Sequence, residues 1–216
     1  MISLHAVFWL LLLFFAGVGA IRGWVREILV TVALVLALFI LSVFPYFRET
    51  EPSVWIDEQT GDWAFVVPWR LIDPQAGPED KTWPKEIASY SEGQNALRAA
   101  FLARVGVFLV LAFFGYETSG LGRFAARLGG TRPQERILGL FLGALNGYLL
   151  VGSLWYYVAA YGYPLEAFES PLQHNLPEPY ILRYMAPVFL PLKAFGVPVA
   201  LLVLVMLLVF VLIALL

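Results

Sequence analysis

The chain has 216 residues, of which 60% are hydrophobic and only 14% are charged, and its formal net charge is −2. Ordinary soluble domains contain about 25% charged residues, so this composition excludes an ordinary soluble globular fold. The absence of cysteine excludes disulfides, thiolate nucleophiles, iron–sulfur clusters and cysteine zinc sites. The two histidines, His5 and His174, are too few for a histidine-rich metal or haem site.

Five apolar segments follow one another along the chain. A helix needs about 20 residues to cross ~30 Å of hydrocarbon, and each segment reaches that length alone or with its flanking residues. The segments are 2–20, 28–47, 95–116, 137–161 and 196–216. Helices are expected because open strands leave backbone groups unpaired in lipid. No lysine or arginine precedes the first segment, so we expect a retained helix and not a cleaved signal peptide. The predicted fold is all-α and polytopic.

The charges between these segments predict the orientation in the membrane. Residues 21–27 and 119–136 are rich in arginine, whereas residues 47–98 hold ten acidic and five basic residues and residues 164–187 hold three acidic and one basic. Arginine-rich connections of membrane proteins stay in the cytoplasm. This places the N-terminus and the acidic loops outside and, with five crossings, the C-terminus in the cytoplasm.

The outer loop, residues 47–98, has a local sheet pattern. Residues 54–57 and 63–67 are rich in β-branched and aromatic side chains and flank a turn that contains Gly61, which predicts a small β-hairpin. Four tryptophans lie in this loop: Trp55, Trp63, Trp69 and Trp83. They are expected either to rest on lipid headgroups as an aromatic belt or to bind a protein partner.

Small residues recur on one face of the fourth segment. Gly139, Gly143 and Gly147 are spaced four apart, with Ala144 beside them, and this spacing lets a second helix approach closely. Asn146 adjoins the face and is expected to hydrogen-bond across it. The face predicts helix packing, either inside one chain or between two copies.

Charged residues mark the connection between the first two segments. Arg22 and Arg26 lie one helical turn apart, with Gly23 between them, and they either fix the topology or bind a lipid or partner. Glu27 is expected to complement the dipole at the start of the second helix and to lie within reach either of Arg22 or of the second arginine-rich connection, residues 119–136. Elsewhere, Arg104 lies near one end of the third segment and is expected to reach the membrane surface, so no proton relay is predicted.

These residues resemble the signatures of a known family, the colicin V production proteins of the bacterial inner membrane. Arg22-Gly23-x-x-Arg26-Glu27 resembles the RG-x-x-RE signature that follows the family's first span. The segment that opens the family's fourth span, R-x-x-G-x-x-x-G-A-x-x-G with a polar lead-in, is matched by Arg132, Arg136, Gly139, Gly143, Ala144 and Gly147. The resemblance covers residues 1 to about 160 and implies a four-span core associated with toxin export and envelope functions.

The long outer loop and the fifth segment depart from the family pattern. We therefore expect a family-like membrane core over residues 1–163 and a second part, residues 164–216, with another outer loop and an additional C-terminal helix. The chain contains no enzyme motif, and we expect neither catalysis nor a cofactor.

The predicted function is that of a non-enzymatic accessory or scaffold protein of the bacterial cytoplasmic membrane. The alternatives are a small transporter or channel subunit and a structural subunit of a larger membrane complex. The expected partners are membrane lipid and either a membrane protein or a second copy of the chain, with no nucleic acid. A pore needs a polar stripe through several helices, and the segments offer for it only Thr31, Ser42, Asn146 and Ser153.

Overall fold

The computed structural model describes residues 4–57, 60, 62–77, 79–118, 133–164, 180–194 and 197–215. This part of the chain is mostly helical. The helices are α1 (Leu4–Arg22), α2 (Trp24–Val43), α3 (Pro45–Glu49), α4 (Pro84–Ala88), α5 (Ser91–Thr118), α6 (Pro133–Ala160), α7 (Ala186–Phe189) and α8 (Val199–Leu215). The strands are β1 (Ser53–Ile56), β2 (Trp63–Pro68), β3 (Lys81–Thr82), β4 (Lys193–Ala194) and β5 (Val197–Pro198). Short 3₁₀ turns cover Trp69–Leu71 and Tyr180–Tyr184.

Four of the described helices, α1, α2, α5 and α6, are long and apolar enough to cross a membrane. This is compatible with a membrane protein. Helix α6 is α-helical over Pro133–Gly147 and Ser153–Ala160, with one π-helical turn at Tyr148–Gly152. Helix α8 has 17 residues and no charged side chain, and it is shorter than the other four. The fifth crossing, expected over residues 196–216, stays a prediction.

A single residue, Gly23, connects α1 to α2. Its φ is +82°, a conformation that glycine adopts without strain, and its amide donates to the carbonyl of Gly19 at 2.9 Å, as at many helix C-termini. The sequence predicts a connection over residues 21–27, whereas α2 already begins at Trp24. Because one left-handed residue is enough to end α1, the residues on either side of it stay helical.

Proline sets the other end of α2. The predicted second segment runs to residue 47, but α2 ends at Val43 because Phe44 precedes Pro45 and is extended, with ψ 127°. Pro45 then begins the short helix α3. The chain therefore leaves the long helix four residues before the predicted end.

The chain forms two compact units. The first unit comprises Met1–Ile40, Val107–Ser153 and Met185–Leu216, and the second comprises Leu41–Gly106 and Leu154–Tyr184. These units are discontinuous in sequence, because α2, α5 and α6 each contribute residues to both. The division at residue 163 that the family resemblance implies stays a prediction.

The second unit contains a three-stranded antiparallel sheet in the order β1-β2-β3. In its register Ser53 lies opposite Val66 and Trp55 lies opposite Ala64. Phe65 of β2 is buried and packs edge-to-face on Tyr156 of α6, with ring centroids 5.2 Å apart. The turn residues 58, 59 and 61, expected to join β1 to β2, lie outside the described part of the chain.

Candidate functional site

In the first unit, glycines of α1 and α6 bring two helix backbones into contact. Gly139, Gly143 and Gly147 are buried on α6. A methyl group added to Gly19 would lie 2.7 Å from the Cα of Gly143 and closer still to the carbonyl oxygen of Gly139, and one added to Gly147 would lie 2.9 Å from the Cβ of Phe15. Such approaches are closer than side-chain atoms tolerate, so only glycine fits at these positions.

A buried hydrogen-bonded cluster joins α6 to α2. The side-chain amide of Asn146 donates to the carbonyl oxygen of Glu27 at 2.9 Å and to its carboxylate Oε2 at 2.8 Å. The Thr31 hydroxyl lies 2.7 Å from the Asn146 Oδ1 and 3.0 Å from the Glu27 carbonyl oxygen. All three residues are buried, with at most 2% of their surface exposed. In an apolar environment unpaired groups of this kind are costly, so these contacts favour one arrangement of the two helices.

Arginine completes the cluster at the end of α1. Arg22 Nη1 lies 3.4 Å from Glu27 Oε1, and Nη2 donates to the carbonyl oxygen of Tyr116 at 3.3 Å. The guanidinium also lies over the Tyr116 ring, 5.2 Å from its centroid. Arg22 therefore links the end of α1 to the carboxylate of α2 and to the last turns of α5.

The other residues of the two motifs singled out from the sequence take less buried positions. Gly23 forms the α1–α2 connection, Arg26 and Ala144 are half-buried, and Arg136 is exposed at the start of α6. Arg132 lies outside the described residues. The structure thus brings Arg22, Glu27, Asn146 and the three glycines of α6 together in the first unit and leaves Arg26 and Arg136 out of the buried cluster.

The four loop tryptophans lie in the second unit and have different partners. Trp55 and Trp83 pack edge-to-face on each other, with ring centroids 5.5 Å apart. Trp63 packs on Phe65 at 5.4 Å and Trp69 on Tyr90 at 5.7 Å. Only Trp55 and Trp83 of these four are exposed, at 46% and 42%.

A second buried polar cluster surrounds Arg104, and here the sequence-based expectation is wrong. Arg104 does not reach a surface: it is fully buried, donates to the carbonyl oxygen of Phe47, and lies 3.7 Å from Glu51. The rings of Phe47 and Tyr157 lie beside its guanidinium at 5.5 Å. An arginine flanked on both sides by apolar residues in a predicted span was the available signal for a buried charge.

Burial also changes the pKa of the acidic member of this second cluster. It raises the pKa of the Glu51 carboxyl from its ordinary value of 4.5 to about 7, against the opposing attraction of Arg104 and Lys81. The segment that carries Glu51 is also held by two tyrosines: Tyr161 donates to the Thr50 carbonyl oxygen at 2.9 Å and Tyr156 to that of Pro52 at 3.3 Å.

Neither cluster has the composition of a metal site. Within the described residues, no group of three histidine, aspartate or glutamate side chains is arranged to hold a metal ion. The chemistry that both clusters offer is hydrogen bonding and charge pairing between segments of the chain.

Comparison with protein-family models finds no match, and neither does comparison with curated proteins or with solved structures.

Proposed function

We propose that this chain is a multi-pass protein of the bacterial cytoplasmic membrane that acts as a non-enzymatic accessory or scaffold protein, in keeping with its resemblance to the colicin V production proteins. The observation that supports this function best is the cluster of Arg22, Glu27, Thr31 and Asn146. Its polar atoms are directed at one another and at backbone carbonyls of neighbouring helices. Groups that pair with one another in this way stabilise a helical bundle, and this supports the scaffold proposal.

The expected free energies of these interhelical contacts agree with a scaffold. Interhelical hydrogen bonds in membranes contribute about 0.6–2 kcal/mol each, and close glycine contacts add dispersion between the backbones. Together these contacts favour one fixed arrangement of α1, α2 and α6. A rigid bundle of this kind is suited to present loops and apolar helix faces to a membrane-protein partner or to a second copy of the chain.

The second candidate function is a small transporter or channel subunit, and one observation favours it. Glu27 is a buried carboxylate inside a helix long enough to cross a membrane, and ionisable residues at such positions often lie on ion or proton paths. Asn146 is its closest neutral partner. The scaffold proposal and the transporter proposal therefore make opposite predictions for a substitution of Asn146.

Flux measurements on Asn146→Leu distinguish the candidates. On the scaffold proposal, the variant unfolds more easily by about 1–3 kcal/mol, because a buried carboxylate loses its amide donor. Liposomes that contain wild-type protein or the variant stay impermeable to protons and small ions. The matched control is Asn95→Leu, the same change at an exposed position of α5, which should leave the melting temperature unchanged. A reproducible wild-type flux that Asn146→Leu abolishes and Asn95→Leu retains would establish the transporter instead.

A further inference from the structure

The exposed tryptophan pair lies on one face of the three-stranded sheet. Trp55 lies opposite Ala64 of β2, and Trp83 directly follows β3. Ala64 of the central strand carries only a methyl group, and the two indoles pack against each other with ring centroids 5.5 Å apart. Their rings are nearly perpendicular, at 88°, an arrangement that leaves much of both rings open: 46% of Trp55 and 42% of Trp83 are exposed.

Two lysines accompany the indoles. Ser53 and Trp55 point to the same side of β1, since alternate residues of a strand share a face, and the ammonium group of Lys81 donates to the Ser53 hydroxyl at 3.1 Å. Lys85 is exposed two residues after Trp83. We refer to Trp55, Lys81, Trp83 and Lys85 as the tryptophan surface.

The position of this surface along the chain restricts what can cover it. Helix α2 ends at Val43, shortly before β1, and Trp83 is followed directly by α4 and then by the start of α5 at Ser91. The surface is therefore tethered at both ends, over short distances, to helices long enough to cross a membrane. Indoles favour the boundary between hydrocarbon and water, and ammonium groups favour anionic phosphates.

We propose that the tryptophan surface rests on the phospholipid headgroups of the membrane and anchors the sheet there. This inference rests on the proposed membrane crossing. It assigns different roles to the four loop tryptophans: Trp55 and Trp83 contact lipid, whereas Trp63 and Trp69 pack within the second unit. The proposed ligand chemistry is an anionic phospholipid headgroup together with the outermost part of its acyl chains.

Fluorescence quenching by brominated lipids tests the proposal. The full chain is reconstituted in phosphatidylcholine–phosphatidylglycerol bilayers that contain bromine either near the headgroups or near the ends of the acyl chains. We compare wild type with W55F/W83F and with the matched control W63F/W69F, which removes the same number of tryptophans from the same loop. Bromine near the headgroups should quench a smaller fraction of the emission in W55F/W83F than in wild type. In W63F/W69F the quenched fraction should be at least as large as in wild type.

The possible failures of the two proposals are distinguishable. Trp9 and Trp24 belong to α1 and α2, so if neither lipid quenches any emission, the membrane crossing itself is wrong. If both lipids quench wild type but W55F/W83F loses no headgroup quenching, the lipid contact is wrong and a protein partner is left as the occupant of the surface. Lys81→Gln/Lys85→Gln, which keeps all the tryptophans, gives a second test. In wild type, adding phosphatidylglycerol should increase the quenching by headgroup bromine, and the double lysine variant should reduce this increase. Equal quenching of wild type with and without phosphatidylglycerol would refute the role of the lysines.

Discussion

Single polar side chains in each unit bond to backbone carbonyls of distant segments. Asn146 reaches the carbonyl of Glu27, and Arg104 reaches that of Phe47. A backbone acceptor cannot move to another rotamer, so such bonds fix the depth and rotation of a helix more strictly than contacts between two flexible side chains. Asn146 therefore helps to fix the packing inside the first unit, and Arg104 helps to fix the packing inside the second.

Glu51 gives a pH-dependent prediction at this scale. Because burial raises its pKa from 4.5 to about 7, the folded protein holds this proton more tightly than the unfolded chain does. Its contribution to stability is therefore fully present below pH 4.5, decreases as the pH rises towards 7, and is lost above 7. The loss is on the order of 3 kcal/mol, because one pKa unit corresponds to about 1.4 kcal/mol.

Thermal unfolding in detergent on either side of pH 7 measures this contribution. Wild type should melt at a lower temperature on the alkaline side, and Glu51→Gln should reduce that difference. Glu49→Gln is the matched control, because Glu49 is about half exposed and pairs with Arg70 at the surface. If Glu51→Gln keeps the full wild-type pH dependence, Glu51 is not its source.

At the scale of elements, the glycine contact between α1 and α6 provides a comparison within one helix. Gly19 faces Gly139 and Gly143, whereas Gly17, two residues earlier, has no atom within 4 Å of an added methyl group among those described. Gly19→Ala should lower the stability by about 1–3 kcal/mol through overpacking. Gly17→Ala should leave it unchanged or raise it by up to about 1 kcal/mol, because alanine is the better helix former. Equal melting temperatures for the two variants would mean that the helices do not approach as closely as the structure has them.

Periodicity and composition predict the helices more reliably than they predict the polar clusters. The four long helices follow from the length of the apolar segments, and the spacing of Gly139, Gly143 and Gly147 places them on one face. The ends of α2 were less predictable, because they depend on the conformations of Gly23 and Phe44. The apolar residues on both sides of Arg104 are a signal that its charge is buried. Its contacts with Phe47 and Glu51 come from a segment far from it in sequence, and no local pattern predicts them.

At the scale of the whole molecule, we propose the orientation that the loop charges predict, with the arginine-rich connections in the cytoplasm. Single cysteines at Thr60 and Thr131 should react with a membrane-impermeant reagent from opposite sides, the first from outside. The chain has no cysteine of its own, so the unmodified protein provides the background. Reaction of both positions from the same side would rule out this topology.

A cysteine added after Leu216 extends this measurement to α8. Five crossings place it on the same side as Thr131, and four crossings place it on the same side as Thr60. The result decides whether the 17-residue helix α8 crosses the membrane or lies in it without crossing.

The one-residue connection at Gly23 has a consequence for biogenesis. On the proposed topology, α1 and α2 both span the membrane, and Gly23 is the single residue that joins them. The two helices must therefore reach their final depth together, with Gly23 at the membrane surface. Because Arg22 and Arg26 flank this residue, both guanidinium groups stay on the cytoplasmic side and neither is carried through the hydrocarbon.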